Sequence, residues 1–198
     1  MSEVSRVIEE MSSAVISRAQ RNLGSYRMVV DAKGRKKRRR ADSSGTLRKS
    51  LGYKINVGKD DYKINFVANG EAGDYANFVE RGVNGTRKNW GSPFSFRGEF
   101  ANIKAIKKWM QKKPIKARSY KDGKLGGFVS RYHIATKGKN KGKKVDKLDG
   151  IAFGIAKSIA LNGFAPLNYM ADAAIVELPK WTEKLADAYA EDIANRLA

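Results

Sequence analysis

Apolar residues recur at helical spacing at the start of the chain. The residues that share one helix face, at positions i, i+3, i+4, i+7 and i+11, are Val4, Val7, Ile8, Met11 and Val15. Ser2 has a side chain that can cap a helix start, and Gly24 is a residue type that often ends a helix. The pattern therefore predicts an amphipathic helix over residues 2–22.

Strict alternation of apolar and polar residues follows between residues 51 and 68. The apolar positions are Leu51, Tyr53, Ile55 and Val57 before a short polar turn, and Tyr62, Ile64, Phe66 and Ala68 after it. Because successive side chains of a strand point to opposite faces, this spacing predicts an antiparallel hairpin with one apolar face. The next segment, 74–82, fits either a short helical turn or the start of a strand.

Two further helices are predicted in the second half of the chain. One covers about 99–112 and ends before Pro114, which cannot continue a helix. The other covers 151–161, with Asp149 as its cap and Gly163 as its stop. Both carry apolar residues at intervals of three or four, as helices that pack against a core do.

The C-terminal region 168–198 is predicted to be helical, as one helix or as a pair broken at Pro179. Residues 128–134 are compatible with a strand. A helix, a hairpin and then more helices favour an α+β fold, in which helices pack on one face of an antiparallel sheet. The length suits a single domain over 1–198 that also carries long basic loops or arms.

Positive charge is concentrated in two segments of the chain. The 198 residues include 40 Lys or Arg and 20 Asp or Glu, which gives a net charge of +20. Residues 33–40 and 137–147 together carry +12 of this charge, whereas 171–198 carries −3. The first run defines a basic arm over 31–45, and the second lies in a Lys/Gly-rich inserted loop over 116–148.

Such runs repel themselves and stay extended unless an anion neutralises them. They favour contact with nucleic-acid phosphates, although a solvated loop that aids solubility has the same composition. The first run also fits the weak pattern of a nuclear-localisation signal. The candidate contacts to DNA phosphate or to an acidic partner are Lys33, Arg35, Lys36, Lys37, Arg38, Arg39, Arg40, Lys137, Lys139, Lys141, Lys143 and Lys144.

Several classes of protein are disfavoured by what the sequence lacks. The chain has no cysteine, which removes disulfides, thiolate metal sites and cysteine nucleophiles. No apolar run approaches the roughly 18 to 20 residues that span a bilayer, so we expect no membrane association. The first residues lack the basic and apolar regions of a signal peptide.

Residues that could support catalysis are few. His133 is the only histidine and lies in a Lys-rich loop, so a Ser–His–Asp triad has little support. Asp60 and Asp61 lie at the predicted hairpin tip, where aspartate is common in turns. Aromatic residues near basic ones could stack on bases, although aromatic residues more often fill a core; they are Trp90, Phe94, Phe96 and Trp109. A two-metal nuclease site would need a cluster of carboxylates. The candidates are Glu71, Asp74, Glu80 and Glu99, but their spacing does not support such a site. We therefore expect no enzymatic activity, no catalytic residue, no metal and no cofactor.

Five segments taken together resemble the head–tail connector proteins, also called neck or tail-completion proteins, of long-tailed bacteriophages. The segments are Ser-Gly-Thr-Leu-Arg-Lys-Ser-Leu at 44–51, Asp-Tyr-Ala-Asn-Phe-Val-Glu-Arg-Gly at 74–82, Ile-Lys-Lys-Trp-Met-Gln-Lys-Lys-Pro-Ile at 106–115, Ala-Phe-Gly-Ile-Ala-Lys-Ser-Ile-Ala-Leu-Asn-Gly at 152–163 and Ala-Pro-Leu-Asn-Tyr-Met-Ala-Asp-Ala at 165–173. The first is similar to the family's Thr-Gly-x-Leu-Arg-x-Ser, and the second to its Tyr-Ala-x-x-Val-Glu-x-Gly. The last is a loose match that lacks two of the family's three prolines.

The resemblance implies a virion structural protein at the head–tail junction, assembled in the host cytoplasm. Such a protein forms a homo-oligomeric ring that joins the capsid connector to the tail around the DNA channel, as a neck, tail-completion or tail-terminator component. Other connector and tail proteins would be its partners, with nonspecific contact to genomic DNA. The residues expected at the subunit interface are Leu47, Arg48, Tyr75, Phe78, Val79 and Glu80. A nonspecific nucleic-acid-binding protein is the alternative.

Overall fold

A computed structural model describes residues 2–30, 36–40, 45–58, 61–112, 118–121, 124–128, 132–134, 141–142 and 144–197. It confirms an α+β fold. The chain folds into two compact units. The first unit comprises Met1–Gly82 and Pro166–Ala198, and the second comprises Val83–Ala165.

The described elements follow one another in chain order. The helices are α1 (Glu3–Gly24), α2 (Thr46–Ser50), α3 (Gly73–Arg81), α4 (Ile103–Lys112), α5 (Lys147–Asn162), α6 (Tyr169–Glu177) and α7 (Thr182–Leu197), with 3-10 turns at Gly70–Ala72 and Leu178–Trp181. The strands are β1 (Tyr26–Val30), β2 (Lys36–Arg40), β3 (Leu51–Val57), β4 (Tyr62–Ala68), β5 (Val83–Asn84), β6 (Arg118–Lys121), β7 (Lys124–Phe128), β8 (Tyr132–Ile134), β9 (Lys144–Asp146) and β10 (Gly163–Phe164).

The predicted first helix is confirmed as α1. The Ser2 hydroxyl accepts a hydrogen bond from the Ser5 amide at 3.2 Å, so the predicted cap is made. Gly24 is the last residue of the helix rather than the residue after it, and the Ser25 amide donates to the Arg21 carbonyl at 2.9 Å. All the residues of the predicted apolar face are buried, so α1 forms the centre of the first unit's core.

The predicted hairpin is also confirmed. β3 and β4 pair antiparallel from Leu51 opposite Ala68 to Val57 opposite Tyr62. Its apolar face packs against α1 at two places: Tyr53 and Phe66 contact the cluster around Val15, Leu23 and Leu47, and Ile55 and Ile64 contact the cluster around Val4 and Val7. The alternation in the sequence therefore encodes a surface that is buried by a helix.

The C-terminal helical region is a pair of helices broken at Pro179, one of the two predicted forms. Pro179 lies in the 3-10 turn between α6 and α7, where its missing amide hydrogen leaves no helical hydrogen bond unmade. α6 contributes Tyr169 and Ala173 to the core around Val15, and α7 contributes Ala188 to the core around Val4. Both helices therefore pack against α1.

A second hairpin is not predicted by the sequence patterns. β1 pairs antiparallel with β2, from Tyr26 opposite Arg40 to Val30 opposite Lys36. β2 consists of five consecutive basic residues, so it has no apolar alternation that could predict a strand. The rest of the predicted basic arm, 31–35 and 41–44, lies outside the described residues.

The second unit has its own core between α4 and α5. Ile106 and Met110 pack against Ala152 and Ala156. The prediction that Asp149 caps α5 is wrong, because the helix already begins at Lys147 and Asp149 lies in its first turn. The predicted stop at Gly163 is confirmed, with a φ of 59° that favours glycine.

Short strand pairs also belong to the second unit. β5 pairs with β10, β6 with β7 and β8 with β9, all antiparallel. The last two pairs lie within the Lys/Gly-rich segment 116–148, which is therefore partly regular. The suggested strand over 128–134 is divided between β7 and β8, and residues 129–131 lie outside the described residues.

Candidate interaction surfaces

Segment 74–82, which contains four of the predicted interface residues, forms α3 and the glycine that ends it. Tyr75 and Phe78 are 37% and 40% exposed on this helix. Val79 packs against the core of the first unit. α3 thus presents two aromatic residues to solvent while an aliphatic neighbour fixes the helix to the core.

Glu80 links α3 to the start of α6. Its Oε2 accepts the Met170 amide at 3.0 Å, and its Oε1 accepts the Ala171 amide at 2.9 Å. Its backbone carbonyl accepts the Asn168 amide at 3.0 Å. Asn168 precedes α6 with a φ of 47° and makes no capping bond with its own side chain. Glu80 therefore serves as the cap of α6 from a distant part of the chain, an intramolecular role that the sequence patterns do not predict.

The two remaining predicted interface residues, Leu47 and Arg48, lie in α2. Leu47 is only 5% exposed and belongs to the core around Val15, so its side chain supports the fold of the subunit. Arg48 is half-buried and its guanidinium lies against Gly24 at the end of α1. Of the six predicted interface residues, the two that are exposed are Tyr75 and Phe78.

A groove of about 610 Å³ runs between the hairpin, α3 and α6 in the first unit. Phe66, Ala76, Glu80 and Tyr169 are among the residues that line it. Burial, followed by the nearby charges of Glu80 and Tyr75, raises the pKa of Tyr169 to about 12. The tyrosine hydroxyl therefore stays protonated well into the alkaline range. The carboxylate of Glu80, which lines the groove, accepts two backbone amides at the start of α6.

Asp192 provides a second long-range cap. Its carboxylate accepts the amides of Glu3 and Val4 at 3.1 and 3.3 Å. These amides belong to the first turn of α1, where the helix dipole favours negative charge. The two remote caps link helices of the first unit: Glu80 joins α3 to α6, and Asp192 joins α7 to α1.

Glu177 is a buried acidic residue of the first unit. It accepts a hydrogen bond from the Lys180 ammonium at 2.9 Å, and the Arg18 guanidinium lies 3.8 Å away. The hydrogen bond from Lys180 is the main reason that the pKa of Glu177 lies below its ordinary value; burial opposes this and the charge of Arg18 adds to it. These two cationic partners, Lys180 and Arg18, explain how the charged Glu177 is tolerated at the buried end of α6.

The candidate phosphate contacts are only partly described. Lys36, Lys37, Arg38, Arg39 and Arg40 form β2, Lys144 begins β9, and Lys141 lies in an exposed turn. Lys33, Arg35, Lys137, Lys139 and Lys143 lie outside the described residues. The larger described group therefore lies on one strand that is paired with β1.

The aromatic residues of the second unit have mixed environments. Trp90 donates its indole Nε1–H to the Asn162 carbonyl at 2.8 Å, and the Lys88 ammonium lies 3.9 Å from its ring centroid. This fixed position favours a structural role for Trp90 over base stacking. Trp109 is 41% exposed on α4.

Two kinds of feature, a cluster of metal ligands and a membrane-spanning helix, are absent from the described residues. Within it, no three or more His, Asp or Glu side chains are grouped so that they could hold a metal ion. None of the helices described is both long and apolar enough to cross a bilayer. His133 lies in β8 opposite Val145 of β9.

Comparisons with known proteins identify no relative. No family model, no curated protein and no solved structure matches the chain. A functional proposal therefore depends on the residues of this chain and on the five segments that resemble connector proteins.

Proposed function

We propose that the protein is a virion structural protein of the head–tail junction, a neck or tail-completion subunit that assembles into a homo-oligomeric ring around the DNA channel. The observation that carries the proposal is that different residues of α3 face the core and the solvent. Val79 and Glu80 fix the helix to its own subunit, while Tyr75 and Phe78 remain accessible. A motif that resembles connector proteins is thus held rigidly with its aromatic residues exposed.

Exposed aromatic residues on a fixed helix suit protein–protein contact. Tyr and Phe are enriched at the cores of interfaces, and a pre-ordered helix loses little conformational entropy when a partner binds. The cap from Glu80 and the backbone bond from the Leu167 amide to the Val79 carbonyl, at 3.2 Å, keep α3 in place. These features support α3 as part of the ring interface, with connector and tail proteins as further partners.

The basic segments suit a channel that DNA passes through. Lysine and arginine bind phosphates without reading base sequence, and a ring multiplies each basic segment by the number of subunits. β2 supplies five such residues in succession. The same strand also favours the alternative proposal, a nonspecific nucleic-acid-binding protein, so the two functions must be separated by experiment.

The test is whether the full chain forms a ring that depends on α3. Native mass spectrometry and negative-stain microscopy of the wild-type protein should detect a closed oligomer. The double variant Tyr75→Ala/Phe78→Ala should lose it while retaining its circular-dichroism spectrum. Tyr26→Ala removes another exposed aromatic residue and is the matched control, expected to keep the ring.

A second set of variants separates the alternatives. Replacing Lys36–Arg40 with glutamine should weaken DNA binding and leave the ring intact. A wild-type protein that stays monomeric at all salt and protein concentrations, yet binds DNA tightly, would overturn the connector proposal in favour of the nucleic-acid-binding one.

A further inference from the structure

α7 exposes a row of large apolar side chains. Tyr189, Ile193 and Leu197 are 45%, 56% and 83% exposed and follow one another at intervals of four residues. Because a helix turns once in 3.6 residues, these side chains lie on one side of α7. The side that faces α1 is a different one, since it carries Leu185 and Ala188. A row of this size on a soluble surface is typical of an interaction site.

An acidic row runs beside it. Glu183, Asp187 and Glu191 are exposed and also follow at intervals of four. At 100° per residue they lie next to the apolar row, separated from it by small residues such as Ala186 and Ala190. The net charge of the whole chain is +20, so basic surface is available on a second copy of the chain to face this acidic row. Its partner must combine basic and apolar groups.

The second unit carries a surface of that kind on α4. Lys104 and Lys108 are exposed and four residues apart. Ala105 and Trp109 form the adjacent exposed row. Lys107 does not belong to this surface in the same way, since its ammonium is paired with Asp149 at 2.7 Å. α4 thus presents a basic row and an apolar row, with the same interval as the rows on α7.

We propose that α7 of one copy of this chain docks on α4 of a second copy. Tyr189 and Ile193 would pack on Trp109 and Ala105, and the acidic row would face Lys104 and Lys108. This inference rests on the proposed ring and adds a second subunit contact to the one that α3 makes. Two like surfaces repel, since α7 against α7 pairs acid with acid and α4 against α4 pairs base with base. The charges therefore select the unlike pairing.

A contact between unlike surfaces is heterologous: each subunit uses its α7 to contact one neighbour and its α4 to contact another. Such contacts build closed rings when the rotation closes and filaments when it does not. α4 has ten residues and is about 15 Å long, so one contact buries less than the roughly 1,600 Å² of a standard interface. Each single contact is weak, and ring closure stabilises it because every subunit is then held twice.

The test uses two charge-reversed variants of the full chain. The variant Glu183→Lys/Asp187→Lys makes the α7 surface basic, like that of α4. The variant Lys104→Glu/Lys108→Glu makes the α4 surface acidic, like that of α7. Sedimentation velocity at low salt should find that each variant alone associates at least about tenfold more weakly than the wild type, because like charges then face each other. An equimolar mixture should regain assembly, since each variant offers the other a complementary pair.

The control is Glu9→Lys/Glu71→Lys, which makes the same change in net charge as the α7 variant, at exposed positions outside α7. It should assemble as the wild type does, and circular dichroism should show all variants folded. Wild-type assembly by either reversed variant, or no recovery in the mixture, overturns the proposal. The proposal is also overturned if the α4 variant assembles normally but binds duplex DNA more weakly, while the α7 variant is unaffected. α4 would then be a nucleic-acid contact.

The outcome separates this contact from the proposed function. Closed rings that are unaffected by charge reversal would keep the neck proposal and overturn the α7–α4 contact. Charge-dependent open chains without any closed ring would keep the contact and overturn the neck proposal.

Discussion

The carboxylate of Glu80 accepts a hydrogen bond from the Ala171 amide at 2.9 Å, 91 residues further along the chain. The bond fills the role of a helix cap, which is usually supplied by the residue just before the helix. Asn168 occupies that place and makes no such bond. The start of α6 therefore depends on α3, and the exposed aromatic residues of α3 depend on the same connection.

Removal of this cap should destabilise the first unit. Glu80→Ala leaves the Met170 and Ala171 amides without their acceptor, and we expect it to lower the free energy of unfolding by about 1–2 kcal/mol. Glu80→Gln keeps an acceptor oxygen and loses the charge, so its effect should be smaller. Urea unfolding monitored by circular dichroism measures both. Glu71→Ala, an exposed acid in the neighbouring 3-10 turn, is the control; an equal effect of both alanine variants would contradict the capping role.

Leu47 should act through the stability of the subunit. Leu47→Ala removes a buried side chain from the core around Val15, and truncations of this type cost about 2–5 kcal/mol. Ile175→Ala removes a comparable side chain from an exposed position and should change the free energy by no more than about 0.5 kcal/mol. Denaturant unfolding of the dilute monomer distinguishes the two. A stable Leu47→Ala monomer that only fails to assemble would instead place Leu47 at the interface.

The stability of the first unit should fall in acid partly because of Glu177. Its pKa in the folded chain lies below the ordinary value of 4.5, mainly because Lys180 donates a hydrogen bond to it. A depressed pKa contributes stability that is present above pH 4.5 and is lost as the pH falls through the folded-state value. Glu177→Gln cannot lose a charge, so its thermal midpoint should fall less steeply between about pH 5 and pH 3 than that of the wild type. Parallel pH profiles of the two proteins would refute the assignment.

The basic strand should determine the salt dependence of DNA binding. Replacing Arg38, Arg39 and Arg40 with glutamine should reduce the slope of log affinity against log salt by up to about 0.9 for each phosphate that the strand no longer neutralises. Fluorescence anisotropy with a labelled duplex measures the slope. The matched control removes the same charge from exposed lysines elsewhere: Lys54, Lys63 and Lys157. Equal slopes for the two triple variants would mean that net charge alone, rather than β2, binds the phosphates.

Elements with strong periodicity are predictable from the sequence. α1 and the β3–β4 hairpin bury one face each, and burial imposes the spacing that the patterns detect. β2 is not predictable, because a strand of five basic residues has no apolar face. α2 is five residues long, too short to express a helical period. The position of Asp149 shows the same difficulty at a smaller scale, since residues suited to a cap also occur within the first turn.

The candidate surfaces are only partly predictable. The aromatic residues of α3 stand out in the sequence because they belong to a motif that resembles connector proteins. The role of Glu80 depends on a contact that no local spacing encodes, and the same is true of Asp192 at the start of α1. On α7, the intervals of four between Tyr189, Ile193 and Leu197 are visible in the sequence. Only the packing against α1 reveals that this row is exposed while Ala188 is buried.

The first unit is made of two stretches, Met1–Gly82 and Pro166–Ala198, and the second unit is the contiguous segment between them. During synthesis on the ribosome, α1 and the β3–β4 hairpin therefore emerge long before α6 and α7, the helices that cover them. The second unit has all its own residues available while the first still waits for Tyr169, Ala173 and Ala188. The core of the first unit can therefore be completed only after the whole second unit has been synthesised. We therefore expect apolar residues of α1 to stay accessible to chaperones until α6 and α7 have been made.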